Sequence, residues 1–156
     1  MRLEGKSIVV TGASAGMGQA IVTRFVEEGA YVVAVARRKE RLEELAAELK
    51  DAPGKIAIYA GDVSDPATCE GMIDLAVKEF GRLDVLVNNA GIMDDNAAVG
   101  DMSDEMMEKM FKVNSFAPLY AMRKAVKVFL EQDDESGNII NVTSVGAVHQ
   151  TAGVAY

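Results

Sequence analysis

Five short runs rich in β-branched residues recur along the chain: SIVV at Ser7 to Val10, YVVAVA at Tyr31 to Ala36, IAIYA at Ile56 to Ala60, DVLV at Asp84 to Val87 and NIINV at Asn138 to Val142. Each is nearly continuous in apolar character, which predicts strands buried on both faces and hence a parallel sheet covered by helices. The intervening stretches change period. Leu42, Leu45, Ala46 and Leu49 fall at i, i+3, i+4 and i+7, and Met72, Ile73, Ala76, Val77 and Phe80 line a second helical stripe. The step from the fourth run to the fifth is about twice the length of one strand–helix–strand unit, so it must hold more than one helix. The first of these begins with Ser103 as N-cap, followed by Asp104 and Glu105 in the first turn near the positive end of the helix dipole; Met106 rules out a capping box. The second begins near Pro118, where a missing N–H costs little, and its apolar face reads Leu119, Met122, Val126 and Phe129. Met102, Met106 and Met110 share a helical face, suited to packing or to an adaptable binding surface. Strands and helices in this alternation predict an α/β fold with a doubly wound parallel sheet and helices on both faces.

Composition narrows the picture. With 156 residues and 49% hydrophobic content, the chain is expected to form one domain over residues 1–156. DAPG at Asp51 to Gly54 and QDDESG at Gln132 to Gly137 are helix-to-strand turns rather than linkers. No secretory pattern or bilayer-length apolar run is legible, so a soluble, cytoplasmic protein is expected. A single cysteine, Cys69, and a single histidine, His149, make neither an intrachain disulfide nor a metal cluster, and no metal is expected. The net charge of −8 argues against nucleic acid and membrane partners.

Candidate chemistry gathers where strands run into helices. After the first strand comes Thr11-Gly12-Ala13-Ser14-Ala15-Gly16-Met17-Gly18 and then a helical pattern. Glycines here permit a tight turn and close approach of backbone to a pyrophosphate, and the following helix offers its free N–H groups to the anion. The Gly-x3-Gly-x-Gly spacing is a variant of the dinucleotide fingerprint; the alternative is a plain strand-to-helix turn. Arg37 and Arg38 close the second strand, 19 residues beyond Gly18 for the first of them. Guanidinium groups at that point favour a 2′-phosphate, where a carboxylate would bond a free 2′-hydroxyl, so NADP(H) is the expected cofactor, with NAD(H) still open. The alternative is that RRKERLEEL is only the solvated start of a helix.

Taken together, TGASAGMG, GDVSD at Gly61 to Asp65, NNAG at Asn88 to Gly91 and IINVTS before Val145 resemble the motifs of the short-chain dehydrogenase/reductase family, in the family's order and from Lys6 to the last residue. The resemblance implies a Rossmann-like fold in which Gly12, Ser14, Gly16, Met17 and Gly18 form the cofactor loop. It implies that Asp62 and Val63 flank the adenine, and that Asn89, Ala90 and Gly91 stabilise the sheet edge near the cofactor. Asn114, Ser144 and Tyr156 would be three members of the catalytic tetrad, acting on a small carbonyl or alcohol substrate. Tyr156 would serve as general acid, Ser144 would hold the substrate oxygen, and Asn114 would order a water relay toward a lysine that the family places soon after the tyrosine. Singly, Ser144 reads as a turn residue, Asn114 as a helix cap and Tyr156 as packing. Ser144 lies 12 residues before Tyr156, one fewer than is common in the family, so Thr143 stands as its substitute. The chain stops at Tyr156, without that lysine and the part of the family fold that follows, and is expected to be a fragment of a longer enzyme. A non-catalytic dinucleotide-binding module, or an inactive truncated piece, is the competing expectation. The stretch from Leu119 to Leu130 is similar to a helix that packs between subunits in the family, implying a homo-oligomer, dimer or tetramer. Cys69 and His149 are read as inert and solvated respectively.

Overall fold

Alternation of side chains along the strands decides how the chain is layered. The computed structural model describes residues 1–94 and 98–147. Its strands are β1 (Ser7–Thr11), β2 (Tyr31–Ala36), β3 (Lys55–Ala60), β4 (Val85–Asn88) and β5 (Asn138–Asn141). They form one sheet in the order β3-β2-β1-β4-β5, with every neighbouring pair parallel. Val9 is in register with Val33 and with Leu86, and this row points to one face; Ile8, in register with Val32 and Val85, points to the other. Both rows are apolar, so both faces need cover.

The helices are α1 (Gly16–Glu27), α2 (Lys39–Glu48), α3 (Pro66–Phe80), α4 (Asp104–Phe111) and α5 (Ala117–Glu131). Val22 and Val26 of α1 and Leu42 and Leu45 of α2 bury against the Ile8 row. Met72, Ile73 and Ala76 of α3, with Ala121, Ala125 and Phe129 of α5, bury against the Val9 row. Each fully buried Val or Leu contributes about 1.5–3 kcal/mol by leaving water, which is what holds the three layers together. Local signals start the helices on that side. Asp65 caps α3 by accepting from the Ala67 N–H at 3.0 Å, with Pro66 behind it, and Ser103 caps α4 by accepting from the Met106 N–H at 3.2 Å.

Four expectations need correction. The fourth strand runs one residue later than DVLV: Asp84 precedes β4, where its carboxylate accepts from the Ser7 N–H at 2.9 Å and pairs with Lys6 at 3.2 Å and Arg82 at 2.9 Å. A buried carboxylate needs these donors more than a strand needs another residue. On α5 the buried face is Ala117, Ala121, Ala125 and Phe129, whereas Leu119 is 55% and Val126 is 43% exposed. Small residues win there because α5 packs closely along α3. The two insert helices are also nearly continuous, joined by a π turn at Lys112–Phe116 that no residue spacing announced. Met102 lies outside α4, so only Met106 and Met110 of the methionine set belong to it, with Met110 buried.

Leu86, buried in the middle of β4, tests the layered core. Leu86→Ala is expected to destabilise the fold by about 2–5 kcal/mol, read from the urea midpoint; a loss well under 1 kcal/mol would contradict the packing described.

Candidate functional site

The strand order reverses between β1 and β4, and the ends of those two strands are tied by one hydroxyl. Thr11 Oγ1 accepts from the backbone N–H of Asn89 and of Ala90, each at 3.0 Å, and its main-chain carbonyl accepts from Asn89 Nδ2 at 2.9 Å. The Ala13 N–H meanwhile donates to the Val35 carbonyl at 3.0 Å, holding the loop after β1 against β2. The result is a crevice beyond the carboxyl ends of the strands, about 290 Å³ in volume.

Gly12 and Ser14 of the glycine loop line this crevice. Gly12 takes a φ of 72° and Gly16 one of 55°, both in the left-handed region that side chains avoid. A Cβ on Gly18 would come within 2.2 Å of the Gly12 carbonyl oxygen and 2.6 Å of Asn89 Nδ2, so only glycine lets α1 start this close to the loop. Unlike α3 and α4, α1 has no side chain capping its first turn: its N-cap is Ala15, and its first turn holds no acidic residue. The N–H groups there are left to an outside acceptor, and the residues present fit an anionic diphosphate.

The side walls carry charge. Arg37 and Arg38 stand at the end of β2, and Arg38 Nη2 donates to Ser14 Oγ at 3.2 Å, drawing its guanidinium over the loop. Beside them, on the neighbouring strand, is the turn after β3, where Asp62 Oδ1 accepts from the Ser64 N–H at 2.9 Å. Partial burial pushes the Asp62 carboxyl up, but the Ser64 N–H and hydroxyl, aided by Arg37 and Lys109, outweigh it and hold the group below the usual carboxylate range. Val63 and Ala90 complete the apolar lining, and Gly91 borders the crevice. Behind it Cys69 is buried, its Sγ 3.2 Å from the Val63 carbonyl; burial first, then Asp65, Glu70 and Asp62, push its thiol up to about 11, so it is inert at neutral pH.

Asn114 sits inside the π turn and not at a helix cap. Its Oδ1 accepts from the Ile92 N–H at 2.9 Å and its Nδ2 donates to the Ile92 carbonyl at 2.8 Å, which brings Asn114 beside Gly91. Ser144 lies past the end of β5, exposed, with its Oγ accepting from the Gly146 N–H at 3.1 Å; Thr143 is exposed beside it. Tyr156 and His149 lie outside the described residues. The structure thus gathers Gly12, Ser14, Arg37, Arg38, Asp62, Val63, Ala90 and Gly91 around one crevice, whereas Gly16, the exposed Met17 and Gly18, at the start of α1, and Asn89 do not line it. Two contributors escaped sequence reasoning. Thr11 was readable as a β-branched hydroxyl just before the first glycine. Lys109 was not, because its place in the crevice joins α4 to the distant ends of β2 and β3 and leaves no trace in local spacing. Among the described residues no group of His, Cys, Asp and Glu could hold a metal, and no helix is long and apolar enough to cross a membrane.

The family described as short chain dehydrogenase matches residues 6–156, and the chain belongs to that family. It is 41% identical over 155 residues to 3beta-hydroxysteroid dehydrogenase 2 of Eggerthella lenta, covering 99% of this chain and 59% of that protein. It is 37% identical over 153 residues to a 3-oxoacyl-(acyl-carrier-protein) reductase of Thermotoga maritima, covering 98% of this chain and 61% of that one. Among solved structures, a short chain dehydrogenase from Mycobacterium smegmatis superposes with a TM-score of 0.92 at 33% identity, covering 98% of this chain and 64% of the other. A metagenomic short-chain oxidoreductase in complex with NADP superposes with a TM-score of 0.91 at 32% identity, covering 99% and 69%. The chain spans about six-tenths of the length of these two curated relatives.

Because a Gly18 side chain would strike the backbone carbonyl of Gly12 and an Asn89 amide already bonded to Thr11, Gly18→Ala is expected to cost about 1–3 kcal/mol or more. A variant whose denaturant midpoint equals that of the parent would show that the loop and α1 are not in the close contact described.

Proposed function

We propose that this protein is an NADP(H)-dependent oxidoreductase that interconverts a carbonyl and a secondary alcohol. The uncapped start of α1 beneath a crevice flanked by Arg37 and Arg38 carries this proposal. A carboxylate in place of the arginines would have favoured NAD(H), which stands as the weaker ligand here. Family membership and the names of relatives, a hydroxysteroid dehydrogenase and an oxoacyl reductase, support a carbonyl and alcohol pair. Their differing substrates give no basis for choosing one for this chain.

Backbone N–H groups of Gly16, Met17 and Gly18 would hold the diphosphate, Arg37 and Arg38 the 2′-phosphate, and Asp62 and Val63 the adenine. The bound nicotinamide supplies or accepts the hydride at the reacting carbon. Tyr156 holds the proton: a phenol, with a reference pKa of about 10, is protonated at neutral pH and can donate to a carbonyl oxygen. Ser144 orients that oxygen. Its Oγ already accepts from the Gly146 N–H, which leaves the hydroxyl proton to donate to substrate. Asn114 acts as a positioning residue, since Ile92 engages both ends of its amide and so ties the Gly91 segment to the π turn.

Assembly as a dimer or tetramer belongs to the same proposal. Phe111, Phe116, Leu119, Val126 and Leu130, on α4, the π turn and α5, are between 43% and 63% exposed. An apolar surface of this kind is suited to burial against another subunit.

In the full-length protein, Tyr156→Phe is expected to lower carbonyl-dependent NADPH oxidation by about 10²–10⁴-fold while NADPH still binds; unchanged turnover would remove Tyr156 as the acid. Leu119→Asp with Leu130→Asp is expected to shift the sedimentation coefficient toward a smaller species. A wild type that is already monomeric at micromolar concentration would end the assembly proposal.

A further inference from the structure

Four charged residues line the crevice: Arg37 and Arg38 at the end of β2, Asp62 in the turn after β3, and Lys109 on α4. Cations nearby in the chain are matched. Lys39 pairs with Glu43 at 3.2 Å, Arg41 with Glu44 at 3.0 Å, and Lys112, on the π turn that follows α4, with Glu108 at 3.3 Å. Among the described residues, no ion pair within 4.0 Å is formed by Arg37, Arg38 or Lys109. For Lys109 this is informative, because Glu105 stands four positions before it on α4, the favoured orientation for a helical ion pair. Lys109 instead borders the crevice, near enough to Asp62 for its charge to bear on that carboxylate.

The balance of charge then points to a ligand. Three cations facing one carboxylate leave a surplus of two positive charges in a chain whose net charge is −8. A phosphate monoester carries about −1.5 to −2 at neutral pH, so the surplus matches it only when Lys109 is counted. With the β2 arginines and Asp62 alone the surplus would be a single charge.

We propose that Lys109 is a selectivity residue for the phosphorylated dinucleotide, supplying positive charge from the α4 wall of the crevice so that a 2′-phosphate is attracted from two sides. This rests on the crevice being a nicotinamide dinucleotide site. Lys109 is exposed, so its replacement leaves the packed core untouched. The cleft is open to water, which keeps the effect of one charge modest.

Calorimetric titration of the full-length wild type and of Lys109→Gln, Lys109→Glu and Lys109→Arg with NADP⁺ and with NAD⁺ tests the proposal. Lys109→Gln is expected to weaken NADP⁺ binding about fivefold, the scale of a partly exposed charge pair, with NAD⁺ changing by less than about twofold. Lys109→Glu should weaken NADP⁺ further, Lys109→Arg should retain it, and the dependence of NADP⁺ affinity on salt should flatten in the Gln variant. Equal losses for both nucleotides, or an unchanged NADP⁺ affinity, would overturn the role of Lys109 while leaving the dinucleotide site standing. A wild type that binds neither nucleotide would instead overturn the site and this inference with it.

Discussion

The hydroxyl of Thr11 is the constraint on which the crevice depends. At the point where the strand order reverses, β1 and β4 lie side by side, and beyond Val10 and Val87 the chains leaving them run on to separate loops. Thr11 Oγ1 takes two N–H groups from the Asn89–Ala90 segment, and the Asn89 amide returns a bond to the Thr11 carbonyl. Each such bond contributes only about 0.5–1.5 kcal/mol net, but leaving buried donors unpaired costs more, so the segment has one favourable position. From that position follow the distance between the glycine loop and Asn89, the need for glycine at residue 18, and the depth of the crevice.

Electrostatics is organised around the same opening. The chain is acidic as a whole, yet the charged groups that line the crevice are mostly cationic and free of carboxylate partners within 4.0 Å among the described residues. Asp62 is the exception, and it is held ionised by the turn it sits in as much as by its cationic neighbours. A surface that repels polyanions can therefore attract a small one at a single place. The α1 terminus adds unpaired N–H groups below, so backbone and side chains favour the same sign of ligand.

The π turn between α4 and α5 ties this opening to the segment that follows β4. An extra residue in the turn carries Asn114 out of the helical ladder and lets its amide meet Ile92 through both of its ends. The loop after β4 is thus clamped from the helix side as it is clamped from the β1 side by Thr11. The same junction leaves Phe111 and Phe116 facing solvent, so the clamp and the exposed apolar surface arise from one local distortion.

Much was legible from residue order alone. Continuous β-branched runs, helical spacing at Leu42 to Leu49 and Met72 to Phe80, and glycines between a strand and a helix depend on short-range sterics and on burial, both of which act on neighbouring residues. They determined the layered parallel sheet, the N-cap at Ser103 now seen in place, and the glycine loop between β1 and α1. The α5 face was misread because hydrophobicity favoured Leu119 and Val126, whereas close packing on α3 selects Ala121 and Ala125. The Thr11 clamp, the π turn at Asn114 and the presence of Lys109 in the same crevice as Arg37 join residues far apart in sequence. Only the tertiary structure decided these, because such contacts are set by how the packed layers meet and leave no periodic trace along the chain.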